Sequence, residues 1–142
     1  RRLEEKWPGR VTLTGNIPHH DVPKYIRAMD IAVAPYPQLD QFYFSPLKVL
    51  EYMAMGKAVI ATRIGQLSDL VRHGETGWLV PPEDEAAFTE AIRHLADNPS
   101  LRDALGQQAR QEVYMKHTWT QRVSSILEVV ESRRARNKDA VI

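Results

Sequence analysis

Two rhythms of apolar and polar residues run along the chain. Four short apolar or β-branched runs stand apart from one another: VTLTG at residues 11–15, IAVA at 31–34, AVIA at 58–61 and WLV at 78–80. Runs of this length, closed by Gly or Pro, predict strands, and the unbroken apolar ones suit strands covered on both faces. Between them, apolar residues recur at helical spacing. Residues 1–7 read as the last turns of a helix stopped by Pro8-Gly9. Asp21 is placed to cap a helix over 22–29, with Pro23 in its first turn and Tyr25, Ile26 and Met29 on one stripe. Ser45, as N-cap, and Pro46 open a helix to Met55 that Gly56 closes. A short helix is expected over 67–73. A longer amphipathic one is expected over 83–97, with Phe88, Ile92 and Leu95 on its stripe. Asn98-Pro99 breaks it, and helices follow over 101–117 and 120–134. The basic end, from Arg133 onward, is expected to fray.

Strands alternating with helices predict an α/β fold: a Rossmann-like parallel sheet with helices on both faces and right-handed crossovers. No strand signal follows Pro82, so the remainder reads as a helical C-terminal extension packed on the sheet. The expected organisation is a single domain, with a core at 9–82, C-terminal helices at 83–136 and a basic tail at 137–142.

Composition narrows the setting. The 142 residues include no cysteine, which excludes disulfide scaffolds, thiolate zinc sites and cysteine nucleophiles. Lys and Arg total 19 against 18 Asp and Glu, a balance that gives no electrostatic reason to expect nucleic acid as a partner. No apolar run approaches the length of a membrane span, and no apolar signal region follows the N-terminus. A cytoplasmic setting is expected, with membrane association only as a peripheral property of a larger parent.

In open parallel sheets, ligands bind outside the carboxyl ends of the strands. Three loops lie there: 15–20, 36–45 and 62–68. The amides of Leu47, Lys48 and Val49 would be free at a helix start, where the helix dipole disfavours the Lys48 cation. A bound phosphate would take up those amides, the Ser45 hydroxyl and the Lys48 charge together. Glu51, three residues on, shares that face and could accept hydrogen bonds from ribose hydroxyls. A plain Lys48–Glu51 ion pair on a solvated face explains the same residues, and the pattern alone leaves both readings open. His19-His20 offers polar contacts to a ligand rather than a metal site, because neighbouring side chains face apart. His73, His94 and His117 read as surface residues, and Trp78 and Trp119 as packing anchors.

The stretch FSPLKVLEYMAMGKAVIAT, residues 44–62, resembles the donor-binding motif of retaining glycosyltransferases of the GT-B fold, family 4 (the "group 1" glycosyltransferases). That motif runs roughly E-G-F-G-x-x-x-x-E-A-M-A-x-G-x-P-V-I-A-T. Further segments follow the same family in order. VTLTGNIP at 11–18 resembles V-x-F-x-G-x-V-P, and AMDIAVAP at 28–35 resembles A-D-V-x-V-x-P-S. GQLSDLV at 65–71 is similar to G-G-x-x-E-I-V, and GETGWLVPPED at 74–84 to N-G-x-x-G-x-L-V-P-P-G-D. Thr118-Trp119-Thr120 is similar to the F-S-W before the last helix.

The resemblance implies the C-terminal, donor-binding domain of such an enzyme, without its first two βα units. It implies that Glu51 binds the nucleotide ribose and that the amides of Leu47 and Lys48 hold the diphosphate. The loop containing Ile17 and His19 would read the base. Ser45, Tyr43 and Gly65 complete the implied donor-binding set. The chain departs from the pattern at several places, among them Lys48, where many members have an apolar residue or Pro. Tyr43 stands where the first motif Glu contacts the donor sugar, Phe44-Ser45-Pro46 replaces Gly-Phe-Gly, and Asp69 replaces a Glu. The implied activity is transfer of a sugar from a nucleotide diphosphate sugar to a hydroxyl acceptor, with no metal or other cofactor. The acceptor would be held by a separate N-terminal domain, so the isolated stretch is expected to be inactive. The alternatives are a non-catalytic nucleotide-binding or interaction module of the same fold, or a GT-B epimerase fragment. In the usual strand order the missing units would lie between the first and second predicted strands. That predicts either direct pairing of 11–14 with the next strand or a strand-swapped or edge-paired homo-oligomer.

Overall fold

A computed structural model describes residues 2–38 and 45–139. Three parallel strands form one sheet in the order β1-β2-β3: β1 is Ile31–Ala34, β2 Ala58–Thr62 and β3 Trp78–Val80. Ile31 pairs with Ala58 and Ala34 with Ala61, while Ile60 pairs with Trp78 and Thr62 with Val80. All five β2 residues are buried, as the unbroken apolar run requires of a central strand covered on both faces.

The helices are α1 (Arg2–Lys6), α2 (Val22–Ala28), α3 (Leu47–Ala54), α4 (Leu67–Leu70), α5 (Glu85–Asp97), α6 (Pro99–Lys116) and α7 (Trp119–Asp139). Side chains alternate across β2 and build two cores. Val59 and Ala61 join Val49 and Met53 of α3, Leu67 of α4, and Ala109 and Val113 of α6 on one face. Ala58 and Ile60 join Ala91 and Leu95 of α5 and Leu105 of α6 on the other. Helices therefore cover both faces, and α6 reaches both cores. Fully burying the Val, Leu, Ile and Met side chains among these contributes about 1.5–3 kcal/mol each, and this is what holds the strand ends in place.

Several local expectations need correction. Residues 11–15 form no strand, and 12–15 are exposed. A lone β-branched run has no ladder to satisfy its amides, and here the Leu13 amide turns to the Glu4 Oε1 at 3.0 Å instead. It does not pair with β1, whose outer edge is open among the described residues and leaves Val33 41% exposed. Asp21 does not cap α2. It ends a 3₁₀ turn, His19–Asp21, and its Oδ1 accepts from the Lys24 Nζ at 2.7 Å. Helix α4 is one turn long, because the chain leaves it for a tight turn at residues 71–77. There the buried Thr76 Oγ1 accepts from the Arg72 amide at 2.9 Å. Helix α5 begins after Asp84, whose Oδ1 accepts from the Ala87 amide at 2.8 Å. Phe88 and Leu95 pack into the second core with Ala91, as expected of the stripe, while Ile92 faces outward. Helix α7 stays helical to Asp139, beyond the expected fraying point. Trp119, read as an anchor, is 86% exposed.

Candidate functional site

Helix α3 starts at the carboxyl end of β1 and sets most of the predicted site. Pro46, not Ser45, occupies its N-cap position, and no side-chain cap bond forms. Pro46 is buried and its carbonyl accepts from the amides of Val49 at 2.9 Å and Leu50 at 3.1 Å. The Val49 amide is therefore engaged, contrary to expectation. Those of Leu47 and Lys48 have no acceptor among the described residues. Val49 and Met53 pin the helix to the core, so Leu47, Lys48 and Glu51 face outward.

The loop before α2 meets that outward face. The His19 Nε2 stands 3.8 Å from the Glu51 Oε1, with both side chains in contact with solvent. The residue implied to touch the ribose and one implied to touch the base are thus neighbours, although 32 positions separate them in sequence (51 − 19). Lys48 does not pair with Glu51. Its Nζ lies 5.0 Å from the centroid of the Tyr36 ring, a cation–π arrangement just beyond the end of β1. Tyr36 is itself tied to the sheet, because its amide donates to the Thr62 Oγ1 at 3.0 Å. The surface ion-pair explanation of Lys48 and Glu51 is not what the geometry presents: Lys48 is held at the helix start by an aromatic ring.

The remaining predicted residues are more dispersed. Ser45 is exposed on one side of a cavity of about 300 Å³ whose walls include Gln66, Asp69, His117 and Arg122. Gly65 takes a positive φ of 48° in the turn after β2, a conformation that suits Gly. Ile17 is half-buried just before the 3₁₀ turn. Tyr43, with the rest of 39–44, lies outside the described residues. His117, expected at the surface, is half-buried at the α6–α7 joint, with its Nδ1 shielded and without a hydrogen-bond partner among the described residues. Burial, chiefly, and the nearby Arg122 hold its imidazole below the ordinary value of 6.5.

Sequence reasoning missed two features. One is a largely buried carboxylate, Glu112, whose oxygens accept from the Arg72 Nη1 at 2.6 Å and the Lys116 Nζ at 2.8 Å. The other is a cavity of about 540 Å³ between Tyr36, Thr62, Pro81 and the start of α5. The rule that ligands gather at the carboxyl ends of strands could have located it, since Pro35, Thr62 and Pro81 mark those ends. Among the described residues no group of His, Asp and Glu has the arrangement of a metal site, and no helix is long and apolar enough to cross a membrane.

Comparison with known proteins places these features in context. Residues 1–98 match the family described as glycosyl transferases group 1. D-inositol 3-phosphate glycosyltransferase 1 of Catenulispora acidiphila is 33% identical over 115 residues, covering 81% of this chain and 26% of that protein. Alpha-D-kanosaminyltransferase of Streptomyces kanamyceticus is 30% identical over 102 residues, covering 70% of this chain and 25% of that protein. Among solved structures, sucrose-phosphate synthase from Thermosynechococcus elongatus superimposes with a TM-score of 0.80 at 30% identity, over 95% of this chain and 33% of that one. The chain thus spans about a quarter of the length of these two curated relatives.

Proposed function

Since the chain belongs to the group 1 glycosyltransferases, we propose that it forms the donor-binding part of a retaining enzyme that moves a sugar from a nucleotide diphosphate to a hydroxyl acceptor. The observation that carries this reading is the shared face of α3 at the carboxyl end of β1. The Leu47 and Lys48 amides, without an acceptor among the described residues, the Lys48 ammonium and the Glu51 carboxylate stand there beside His19. The amides and Lys48 would hold the diphosphate, Glu51 the ribose hydroxyls, and Ile17 with His19 the base. As the glycosidic bond breaks, negative charge grows on the leaving diphosphate, and the preset amides and Lys48 oppose it there. The positive charge needed is local to α3, so no metal enters the scheme. Acceptor binding belongs to a separate domain, and this stretch alone is inactive. The open edge of β1 leaves room for edge pairing between copies, which a monomer in light scattering would refute.

A second reading has one observation in its favour. Tyr43 stands at the motif position that contacts the donor sugar, which fits a non-catalytic nucleotide-binding module. Calorimetric titration with UDP, GDP and ADP separates binding from its absence. At least one is expected to bind, and Glu51→Ala is expected to weaken it about 10-fold or more, the usual worth of hydrogen bonds to a charged group. Lys48→Ala should weaken binding and flatten its dependence on salt. If none of the three nucleotides binds at millimolar concentration, the reading fails. Sugar transfer by a parent protein carrying this stretch, lost on Glu51→Ala, excludes the non-catalytic alternative.

A further inference from the structure

Helix α7 is tied to α6 through its first turn. The Gln121 Nε2 donates to the Tyr114 carbonyl at 3.0 Å and Gln121 is half-buried, whereas every side chain from Arg122 to Arg134 is exposed. A helix that stands in water is ordinarily polar all round. This one is sorted by side. At about 3.6 residues per turn, Trp119, Val123, Ile126 and Val130 fall within an arc of about 60°. Leu127 and Val129 widen that stripe on either side, and all six are between 40% and 86% exposed. The charges are sorted too. Arg122 and Arg133 lie along one margin of the stripe and Arg134 along the other, while Glu128 and Glu131 stand on the opposite face. None of the three arginines joins an ion pair among the described residues.

We propose that α7 is an interfacial helix that docks on an anionic lipid surface. An apolar stripe bordered by cations, with the carboxylates on the far side, is the arrangement that lies in the plane of a bilayer boundary. The stripe enters the edge of the acyl layer, the arginine stems lie along it with their guanidinium groups at the lipid phosphates, and Glu128 and Glu131 stay in water. An indole is favoured at headgroup depth, which suits Trp119 at the start of the stripe. Among the described residues no helix is long and apolar enough to cross a membrane, so the contact runs along the surface. The charges argue against a second copy as the occupant. Two α7 helices packed stripe to stripe would bring arginine beside arginine at the margins, with both carboxylates turned away. A neutral protein face would cover the three arginines without pairing them. Lipid phosphates supply the missing partners. The inference stands apart from the nucleotide-binding reading of α3.

Co-sedimentation of the chain with vesicles tests this, using phosphatidylcholine alone and phosphatidylcholine with added phosphatidylglycerol. Binding is expected on the anionic vesicles, weaker in high salt and weaker still on phosphatidylcholine. Ile126→Asp should abolish it. Ser124→Asp, which adds the same charge to the opposite face, should keep most of it. Arg133→Ala with Arg134→Ala should weaken binding to anionic vesicles roughly 20-fold, at about a five-fold loss for each cation near such a surface. All of these positions are exposed, so an unchanged melting temperature is expected to show each variant folded. Vesicles should also shift tryptophan emission to the blue, and Trp119→Phe should remove that shift. No binding to anionic vesicles overturns the proposal, as does equal binding to both kinds. Equal losses in Ile126→Asp and Ser124→Asp overturn it too, because net charge and not the stripe would then govern attachment. A dimer in light scattering that Ile126→Asp dissociates assigns the stripe to a second copy instead. Vesicle binding by a longer parent protein that Ile126→Asp leaves unchanged means that the parent covers the stripe itself, and likewise overturns the proposal.

Discussion

The imidazole of His19 and the carboxylate of Glu51 face each other at 3.8 Å across the gap between the 3₁₀ turn and α3, with His19 93% and Glu51 45% exposed. At that length the contact is not a hydrogen bond, and such exposed pairs contribute little to stability. The two groups are therefore free to turn toward a ligand. Replacing His19 by Ala should leave thermal stability within about 0.5 kcal/mol. It should weaken nucleoside diphosphate binding less than Glu51→Ala does, because the loop also presents Ile17 and its backbone. A His19→Ala loss as large as that of Glu51→Ala would mean that the imidazole, not the carboxylate, dominates recognition.

A methyl group on Gly106 would meet the carbonyl of Gly56, with the Gly56 carbonyl carbon at 2.8 Å. Both partners are backbone, so neither can swing aside. This close approach seats α6 against the corner between α3 and β2, and α6 in turn supplies Leu105, Ala109 and Val113 to the two cores. The intrinsic helical preference of Ala over Gly is worth only about 1 kcal/mol. Overpacking should outweigh it, leaving Gly106→Ala less stable by roughly 2 kcal/mol and lowering Tm by several degrees. An unchanged or higher Tm would show that α6 can slide on the sheet.

Glu83 predicts the opposite sign. It is the one non-glycine residue with positive φ among those described, at 61°, in the turn between β3 and α5. A side chain there carries a steric cost that Gly avoids, partly offset by the greater freedom of Gly in the unfolded chain. Glu83→Gly should therefore stabilise the fold by up to about 1 kcal/mol while removing one carboxylate from the cavity rim. A higher melting temperature is the expected result. A lower melting temperature would mean that Glu83 holds the turn by a contact of its own.

What the sequence made legible follows from how local each cause is. The run at 58–61 specifies a buried central strand by itself, since an unbroken apolar stretch between breakers has few other fates. The outward face carrying Lys48 and Glu51 follows from the spacing of Val49 and Met53. The run at 11–15 has the same strand-like composition, but a strand exists only with a neighbour, and composition does not say whether the neighbour is present. Ser45 and Pro46 are both good helix openers, and local sequence does not say which of the two takes the cap position. The cavity was the least legible feature. Its walls come from three strand ends spread between positions 35 and 81, and only the sheet order brings them together.

Two groups around the end of α6 predict how the fold responds to acid. Hydrogen bonds from Arg72, chiefly, and from Lys116 hold the Glu112 carboxyl below its ordinary value of 4.5. Its folded form binds a proton less readily than the unfolded chain, so its stabilisation is complete above about pH 4.5 and fades as pH falls through the folded value. His117 is also depressed, but by burial first, from 6.5. Its neutral form suits the fold, and the unfolded chain takes up the proton earlier, so this contribution fades from about pH 6.5 downward. Stability should accordingly fall in two stages. In urea melts followed between about pH 7 and 3, His117→Gln should remove the upper stage and keep the lower. Glu112→Gln should remove the lower stage and lower stability at neutral pH by about 1–3 kcal/mol, because Arg72 and Lys116 lose their shared acceptor. A His117→Gln profile that keeps the upper stage would assign it elsewhere.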